Sequence, residues 1–326
     1  MIKKTNVNFA PLVEYLKAVP YEIIHTSLYN AAELYEGYNP EQPELTRDYY
    51  DWRVYQHFMS MGKLPSSIDE ATARTFHDHG IKIVLGKYVK SHNHLRFIGV
   101  MGGHALLRTD AMFRQIVFLS KSLTEHGFMM LSGGGPGAME ATHLGAWLAG
   151  RGDDEVEEAL RILAPVPEFT DKGWLSTAFK VIHRYPQTKY ESLSIPTWLY
   201  GHEPSTPFAT HIAKLFDNSF REDALLTLAF GGIIYTPGSA GTMQEIFQNA
   251  VQNHYLSFGF SSPMIFLGEE FWTSEIPVYP LLQGLMAMGK YKNLSLTLTD
   301  DSEVVLRQLL DFQDKIKANP EAFKVK

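Results

Sequence analysis

At 326 residues the chain exceeds one domain of about 150 residues, which sets an expectation of two structural units or of one large α/β domain with an extension. Hydrophobic residues make up 45% and charged residues 20%, ordinary globular values that exclude a disordered, collagen-like or coiled-coil chain. With 29 basic against 36 acidic side chains the formal charge is −7, opposite in sign to a phosphate-backbone binder, and zero cysteine removes disulfides, thiolate nucleophiles and thiolate-ligated metal clusters. Nucleic acid is therefore not an expected partner, and the cytosol is the default compartment.

Met1 to Pro20 lacks the continuous apolar run and small-residue cleavage site of a signal peptide. The longest apolar stretch, Ala224 to Tyr235, is about twelve residues, short of the roughly 20 needed to span a bilayer, so no membrane span is expected. No repeat of solenoid or propeller length is present.

Residues 1 to 93 carry scattered aromatics, among them Tyr15, Tyr21, Tyr29, Tyr35, Tyr38, Tyr49, Trp52 and Phe58, without strand alternation; their irregular spacing predicts short helices, hence a helical N-terminal extension. His77 and His79, and the H-x-H pair His92 and His94, have no further clustered ligands and read as solvated histidines rather than a metal site. From Leu95 onward, short apolar runs are each followed by a Gly-containing turn and a helical pattern, the texture of βαβ units. The strands predicted are Leu95 to Met101, Phe128 to Ser132, Leu193 to Leu199, Gly232 to Thr236, Met264 to Leu267 and Leu294 to Leu298. The helices between them are Thr109 to Glu125, Ala138 to Ala149, Arg221 to Ala229, Thr242 to Tyr255, Tyr279 to Met288 and Ser302 to Lys317. Residues 151–190, acidic at the start and carrying Pro165, Pro167 and Pro186, suit an insertion or long crossover. The expected fold class is thus α/β, a doubly wound, mostly parallel sheet over residues 94–326 behind a helical extension over 1–93, with ligands bound at the carboxyl ends of the strands.

Two glycine loops fall at such ends. After the second strand comes Ser132-Gly133-Gly134-Gly135-Pro136-Gly137-Ala138-Met139-Glu140, where glycines allow close backbone approach and a helix start offers free N–H groups to an anion. Gly133, Gly135 and Ala138 fit the dinucleotide pattern G-x-G-x-x-A, but the loop follows the second strand, and the acidic residues some twenty positions on, Asp153 and Asp154, lie in a polar turn. A mononucleotide phosphate or ribose suits it better than NAD; a tight turn serving only helix–sheet packing is the plainer alternative. The second loop, Pro237-Gly238-Ser239-Ala240-Gly241-Thr242-Met243-Gln244-Glu245, has the parts of a phosphate cradle without a Walker lysine. Glu245 has two readings: Thr242-x-x-Glu245 is a capping box, and the same carboxylate at a phosphate loop is a catalytic candidate. Arg221 reads equally as a surface charge paired with Glu222 or Asp223.

The two loops in this order resemble the LOG-type nucleotide phosphoribohydrolases, Rossmann-like proteins long labelled "lysine decarboxylase", and most closely their nucleotide 5′-monophosphate nucleosidase branch, which has a Gly-Gly-His after the first strand, here Gly102-Gly103-His104. The resemblance runs from about Leu95 to Leu298 and leaves the first 93 residues uncovered. It implies hydrolysis of the N-glycosidic bond of nucleoside 5′-monophosphates to free base and ribose 5-phosphate. The family signature PGGxGTxxE is matched at Pro237, Gly238, Gly241, Thr242 and Glu245, with Arg221 on the preceding helix. Two departures stand out: Ser239 replaces the second signature glycine, adding a side chain where the backbone is read as needing positive φ or a close phosphate approach, and Arg221 is followed by Glu222-Asp223 rather than Lys.

By this resemblance Glu245 and Arg221 are the catalytic pair. Glu245 stabilises a ribosyl cation or orients the attacking water, and Arg221 pairs with the phosphate or ribose. The loop Gly238, Ser239, Ala240, Gly241 and Thr242 holds the phosphate, while Gly133, Gly134, Gly135, Gly137 and Met139 line the nucleotide's other side. Gly103, His104, Asn218 and Asp223 are further ligand contacts to test, and Glu203 after the third strand reads as a turn residue within reach of a ligand. No cofactor and no metal are implied; no lysine lies at a strand end beside a phosphate loop, which argues against PLP chemistry. The partners implied are a nucleoside monophosphate and a second copy of the chain, joined through the helices Thr242 to Tyr255 and Tyr279 to Met288. The reading from a different class is a nucleotide or cofactor carrier or sensor that has lost the chemistry, which Ser239 favours.

Overall fold

The computed structural model describes residues 8–42, 48–93 and 96–323. Its centre is a seven-stranded sheet of order β4-β3-β2-β1-β5-β6-β7, built from β1 (Phe97–Met101), β2 (Met129–Ser132), β3 (Ser192–Ser194), β4 (His211–Ile212), β5 (Gly232–Tyr235), β6 (Pro263–Leu267) and β7 (Ser295–Thr299). Every pairing is parallel. The fold is doubly wound and Rossmann-like: the chain steps outward from β1 to β4, then returns to the other side of β1 to start β5.

Strand residues alternate between two apolar layers. Phe97, Met101, Ile233, Tyr235, Met264 and Phe266 enter one core, which α9 (Asn218–Leu228), α10 (Ala240–Tyr255) and α11 (Val278–Ala287) also fill. Ile98, Val100, Met130, Ile234 and Ile265 enter the other, with α5 (Ala111–Glu125), α6 (Ala138–Trp147), α7 (Asp153–Leu163), α8 (Trp174–Arg184) and α12 (Ser302–Ala318). The stretch 151–190 is a helical crossover, α7 and α8, from β2 towards β3. Arg108 clamps it: the guanidinium forks onto Glu140 at 3.0 and 2.6 Å and donates to the Val166 and Trp174 carbonyls and to Thr177 Oγ1, all in the interior.

The first 93 residues contribute α1 (Ala10–Ala18), α2 (Ala31–Leu34), α3 (Tyr50–Ser60) and α4 (Ile68–Ser91). They pack on the sheet rather than beside it: Tyr21, Tyr29, Leu34, Val54 and Phe58 share one apolar cluster with Leu193, Trp198, Ile212 and Phe216. Backbone N–H and C=O of Tyr29 exchange hydrogen bonds with Ile212 of the edge strand β4 at 3.0 and 2.8 Å, in antiparallel sense. Asp51 of α3 reaches the buried Lys214 ammonium at 2.6 Å and accepts from Trp198 Nε1 at 2.8 Å.

Several expectations are corrected. The predicted strand Leu193 to Leu199 is cut short: β3 ends at Ser194, Pro196 has no N–H to give the ladder, the extended Thr197 makes only an isolated parallel bridge to Leu215, and Trp198–Tyr200 is a 3-10 turn capped by the Thr197 side chain, which accepts from Leu199 N. β4 went unpredicted because two residues leave no period to read. The helix predicted from Arg221 begins three residues earlier, where the Asp217 carboxylate accepts from Ser219 N and Phe220 N. His77 is fully buried, not solvated: Nδ1 meets Asp78 Oδ1 at 2.7 Å and Nε2 meets Tyr29 OH at 3.1 Å. His79 is exposed, and His92 binds Glu191 at 3.0 Å; His94 and Leu95 lie outside the described residues. Among the described residues no helix is long and apolar enough to cross a membrane.

Candidate active site at the switch point

The loops leaving β1 and β5 diverge where the strand order reverses, which opens a crevice at the carboxyl edge. Thr236 N still bonds the Met101 carbonyl at 2.9 Å and Gly103 N the Pro237 carbonyl at 3.0 Å, so the two loops start joined and then part around the site. The third wall is the amino end of α6, whose Ala138 N donates to the Gly103 carbonyl at 3.2 Å. Gly137 makes that approach possible: its φ is +68°, and a Cβ there would sit 2.5 Å from the Gly103 carbonyl oxygen.

The resulting cleft of about 240 Å³ is lined by Gly102, Gly103, His104, Met139, Tyr200, Glu203, Arg221, Glu222, Ser239, Gly241, Thr242, Gln244 and Glu245. A small recess beside it brings Gly133, Gly134, Gly135 and Met139 against Arg221 and Glu203. Arg221, Glu245 and much of the expected phosphate loop thus line one cleft, and the glycine run lines the recess beside it. Gly238 lies just behind the lining, packed on the buried Thr242 side chain, and Ala240 opens α10 facing solvent.

α10 begins at Ala240 with Ser239 as its N-cap, and the Ser239 side chain makes no capping bond. The capping-box reading of Thr242 and Glu245 therefore falls: Thr242 is the third helical residue and Glu245 the sixth, a turn too far to reach the cap amide. Amide donors of the first turn, with the positive end of the helix dipole, are left to face the cleft. The φ of Ser239 is −112°, extended backbone that any residue adopts, so Ser239 strains no backbone there, and what its departure leaves is an extra side chain at the cleft.

Arg221 sits at the end of the first turn of α9, and its Nε donates to the Ile195 carbonyl at 3.0 Å, which directs the guanidinium away from the surface and under the glycine loop. There a Cβ on Gly133 would lie 2.1 Å from Arg221 Nη2, so the absence of a side chain at 133 is what admits the cation. The reading of Arg221 as a surface charge paired with Glu222 or Asp223 is replaced by this anchored position. Withdrawal from water pushes the Glu245 carboxyl up to about 7; Arg221 pulls it down and Glu222 pushes it further up.

Asn218 and Asp223 do not reach the cleft: Asn218 Nδ2 donates to Glu222 Oε1 at 2.7 Å, and the exposed Asp223 accepts from Gln248 at 3.1 Å. Glu222 between them does line it, a residue that the sequence offers only as a charge partner for Arg221 and as a departure from the family's lysine. Glu203 is more than a turn residue, with its side chain 14% exposed and 3.6 Å from His104 Nδ1. Further along α10, Asn249 and Asn253 are buried, Asn249 accepting from Tyr235 OH and Asn253 clasping the backbone of Ser262.

No family model matches the chain, and no curated protein matches it significantly. Similar solved structures include the molybdenum cofactor binding protein of the phototrophic bacterium Rippkaea orientalis (15% identity, 68% of this chain and 96% of that one, TM-score 0.42). Others are the Moco carrier protein of Chlamydomonas rheinhardtii (16%, 67% and 97%, TM-score 0.38) and the structural-genomics target TM1055 (17%, 66% and 98%, TM-score 0.42).

Proposed function

We propose that the switch-point cleft binds a nucleoside 5′-monophosphate and hydrolyses its N-glycosidic bond, releasing the base and ribose 5-phosphate. The observation that carries this reading is the meeting of Arg221 and Glu245 in one cleft at the amino end of α10. The first-turn amides of α10 suit a phosphate, as helix N-termini do. One phosphate suits the charge of the site better than two, because the arginine faces three carboxylates there, Glu203, Glu222 and Glu245.

With the phosphate held by the loop, the ribose lies between Arg221 and Glu245. As the bond from C1′ to the base nitrogen stretches, positive charge grows on the sugar, and the ionised Glu245 carboxylate stabilises it or aligns the attacking water. The water oxygen bonds to C1′, its proton passes to the departing base, and the bonding pair leaves with the nitrogen. Anchoring the phosphate away from the reacting bond turns binding energy into orientation, an effect worth several kcal/mol in general.

A second reading keeps the ligand and drops the reaction: a carrier or sensor of a nucleotide or cofactor, the kind of role in which two of the fold neighbours are described. On this chain the observation that favours it is Ser239, whose exposed side chain stands at the mouth of the cradle where the resembling family has glycine. One experiment separates the two. Purified protein is incubated with a panel of nucleoside 5′-monophosphates, and base and ribose 5-phosphate are read by chromatography beside a Glu245→Gln control. Release that disappears in the control, with nucleotide still bound, supports the hydrolase; tight binding without release by either protein supports the carrier. For Arg221→Ala the expected result is loss of binding and turnover together.

A further inference from the structure

Of the two cleft carboxylates that this reading leaves without a task, Glu203 lies 3.6 Å from His104 Nδ1, and the other is Glu222. It lies next to Arg221 in the chain, yet its oxygens are held elsewhere: Asn218 Nδ2 donates to Oε1 and Gln244 Nε2 to Oε2, both at 2.7 Å. One amide comes from α9 and the other from α10, so the carboxylate is fixed across the seam between the helices that form this side of the cleft. Neutral amides orient the group without cancelling its charge. A carboxylate has about four lone-pair sites, and two amides occupy two of them. What Glu222 can take from a ligand is therefore a hydrogen-bond donor, and an anion is repelled.

A phosphoribosyl ligand offers few such groups on its sugar. The 5′-phosphate is an anion and the ring oxygen an acceptor; only the 2′- and 3′-hydroxyls donate. Glu245, which serves C1′, follows Gln244, whose side chain holds Glu222 at 2.7 Å, and both carboxylates line the same cleft. The hydroxyl next to C1′ is the one on C2. We propose that Glu222 accepts a hydrogen bond from the 2-hydroxyl of the sugar and so restricts the site to ribose 5-phosphate esters over their 2-deoxy counterparts. The inference rests on the nucleotide reading given above and adds the sugar class to it.

A fixed acceptor that finds no donor in the bound ligand disfavours that ligand, which is how polar sites reject analogues lacking one hydroxyl. The test uses probes with neither a base nor an anomeric hydroxyl, so that only the sugar hydroxyls of a nucleotide are present: the methyl β-ribofuranoside 5-phosphate and its 2-deoxy counterpart, titrated calorimetrically into the wild-type protein and into Glu222→Gln. The substitution keeps shape and removes the charge. The Asn218 carboxamide can turn to meet it, since its buried Oδ1 has no partner. Far-ultraviolet dichroism and melting confirm that the variant is folded, and Glu222→Asp serves as a second variant that keeps the charge and withdraws it by one methylene.

The expected result is a preference for the ribose compound of roughly 10- to 100-fold in wild type, falling to within about threefold in Glu222→Gln through weaker ribose binding, with Glu222→Asp between them. Wild-type protein that binds both sugars equally, or a Glu222→Gln variant that keeps the preference, overturns the role of Glu222 and leaves the nucleotide reading standing. Wild-type protein that binds neither these sugars nor any member of the monophosphate panel overturns both.

Discussion

Glu245 shows how one side chain ties stability to chemistry. Its carboxyl titrates at about 7 in the folded protein against 4.5 as its ordinary value, so between those pH values the native state holds a proton that the unfolded chain gives up. Stability from this residue is present below about pH 4.5 and declines as pH rises towards 7, where the carboxylate forms in a place short of water. Catalysis runs the other way, since the proposed role needs the ionised form: kcat/KM should climb about tenfold per unit below pH 7 and level off above it. Glu245→Gln separates the two. It should abolish turnover and melt roughly 2–4 °C above wild type at pH 8, with the difference gone near pH 4.5. Calorimetric melts of both proteins across that range check the sign; a variant less stable than wild type at pH 8 would contradict the desolvated carboxyl.

At the scale of elements, the placement of Arg221 depends on α9, and α9 is held by the extension. Asp78 of α4 is buried and accepts from Phe216 N at 3.0 Å and Asp217 N at 2.8 Å, while His77 Nδ1 reaches it at 2.7 Å. Lys82, one turn on, lies 3.6 Å from Asp217, the cap of α9. Asp78→Ala leaves two backbone N–H groups without their acceptor, and we expect a loss of about 2–4 kcal/mol in urea unfolding. A further fall in kcat/KM of about tenfold or more should be measurable where the protein remains folded, since small misplacements of catalytic groups are costly.

None of this was legible from periodicity. The strands β1, β2, β5, β6 and β7 were, because each is an apolar run closed by a turn, and so were the two loops, because glycine at a strand end has few other uses. Arg221 and Glu245 stood out only through the family resemblance, since spacing alone reads Glu245 as a helix cap and Arg221 equally as a surface charge. Glu222 was not legible, since its task depends on a partner on another helix, and His77 was misread because its burial is created by Tyr29 and Phe216, residues far off in the chain.

For the whole molecule, the extension and the sheet form one interior. Lys214 is fully buried and burial lowers the pKa of its ammonium, against which the Asp51 carboxylate restores the charged form. Removing residues 1–93 would strand that lysine and uncover β4, an edge strand whose only backbone partner beyond β3 is Tyr29 among the described residues. The truncated chain is expected to be insoluble or to run as soluble aggregate, whereas a self-sufficient domain would elute as a sharp, monodisperse species in size-exclusion chromatography.

The pair Asp51 and Lys214 also bears on how the protein comes to be made. The acid emerges from the ribosome 163 residues ahead of its counter-ion, and Tyr29 still further ahead of Ile212. This segment therefore meets β4 and Lys214 only after roughly 120 further residues have been made, and its aromatic side chains wait for that surface through the interval. Docking of the extension is expected late in folding, because it waits on contacts far apart in the chain.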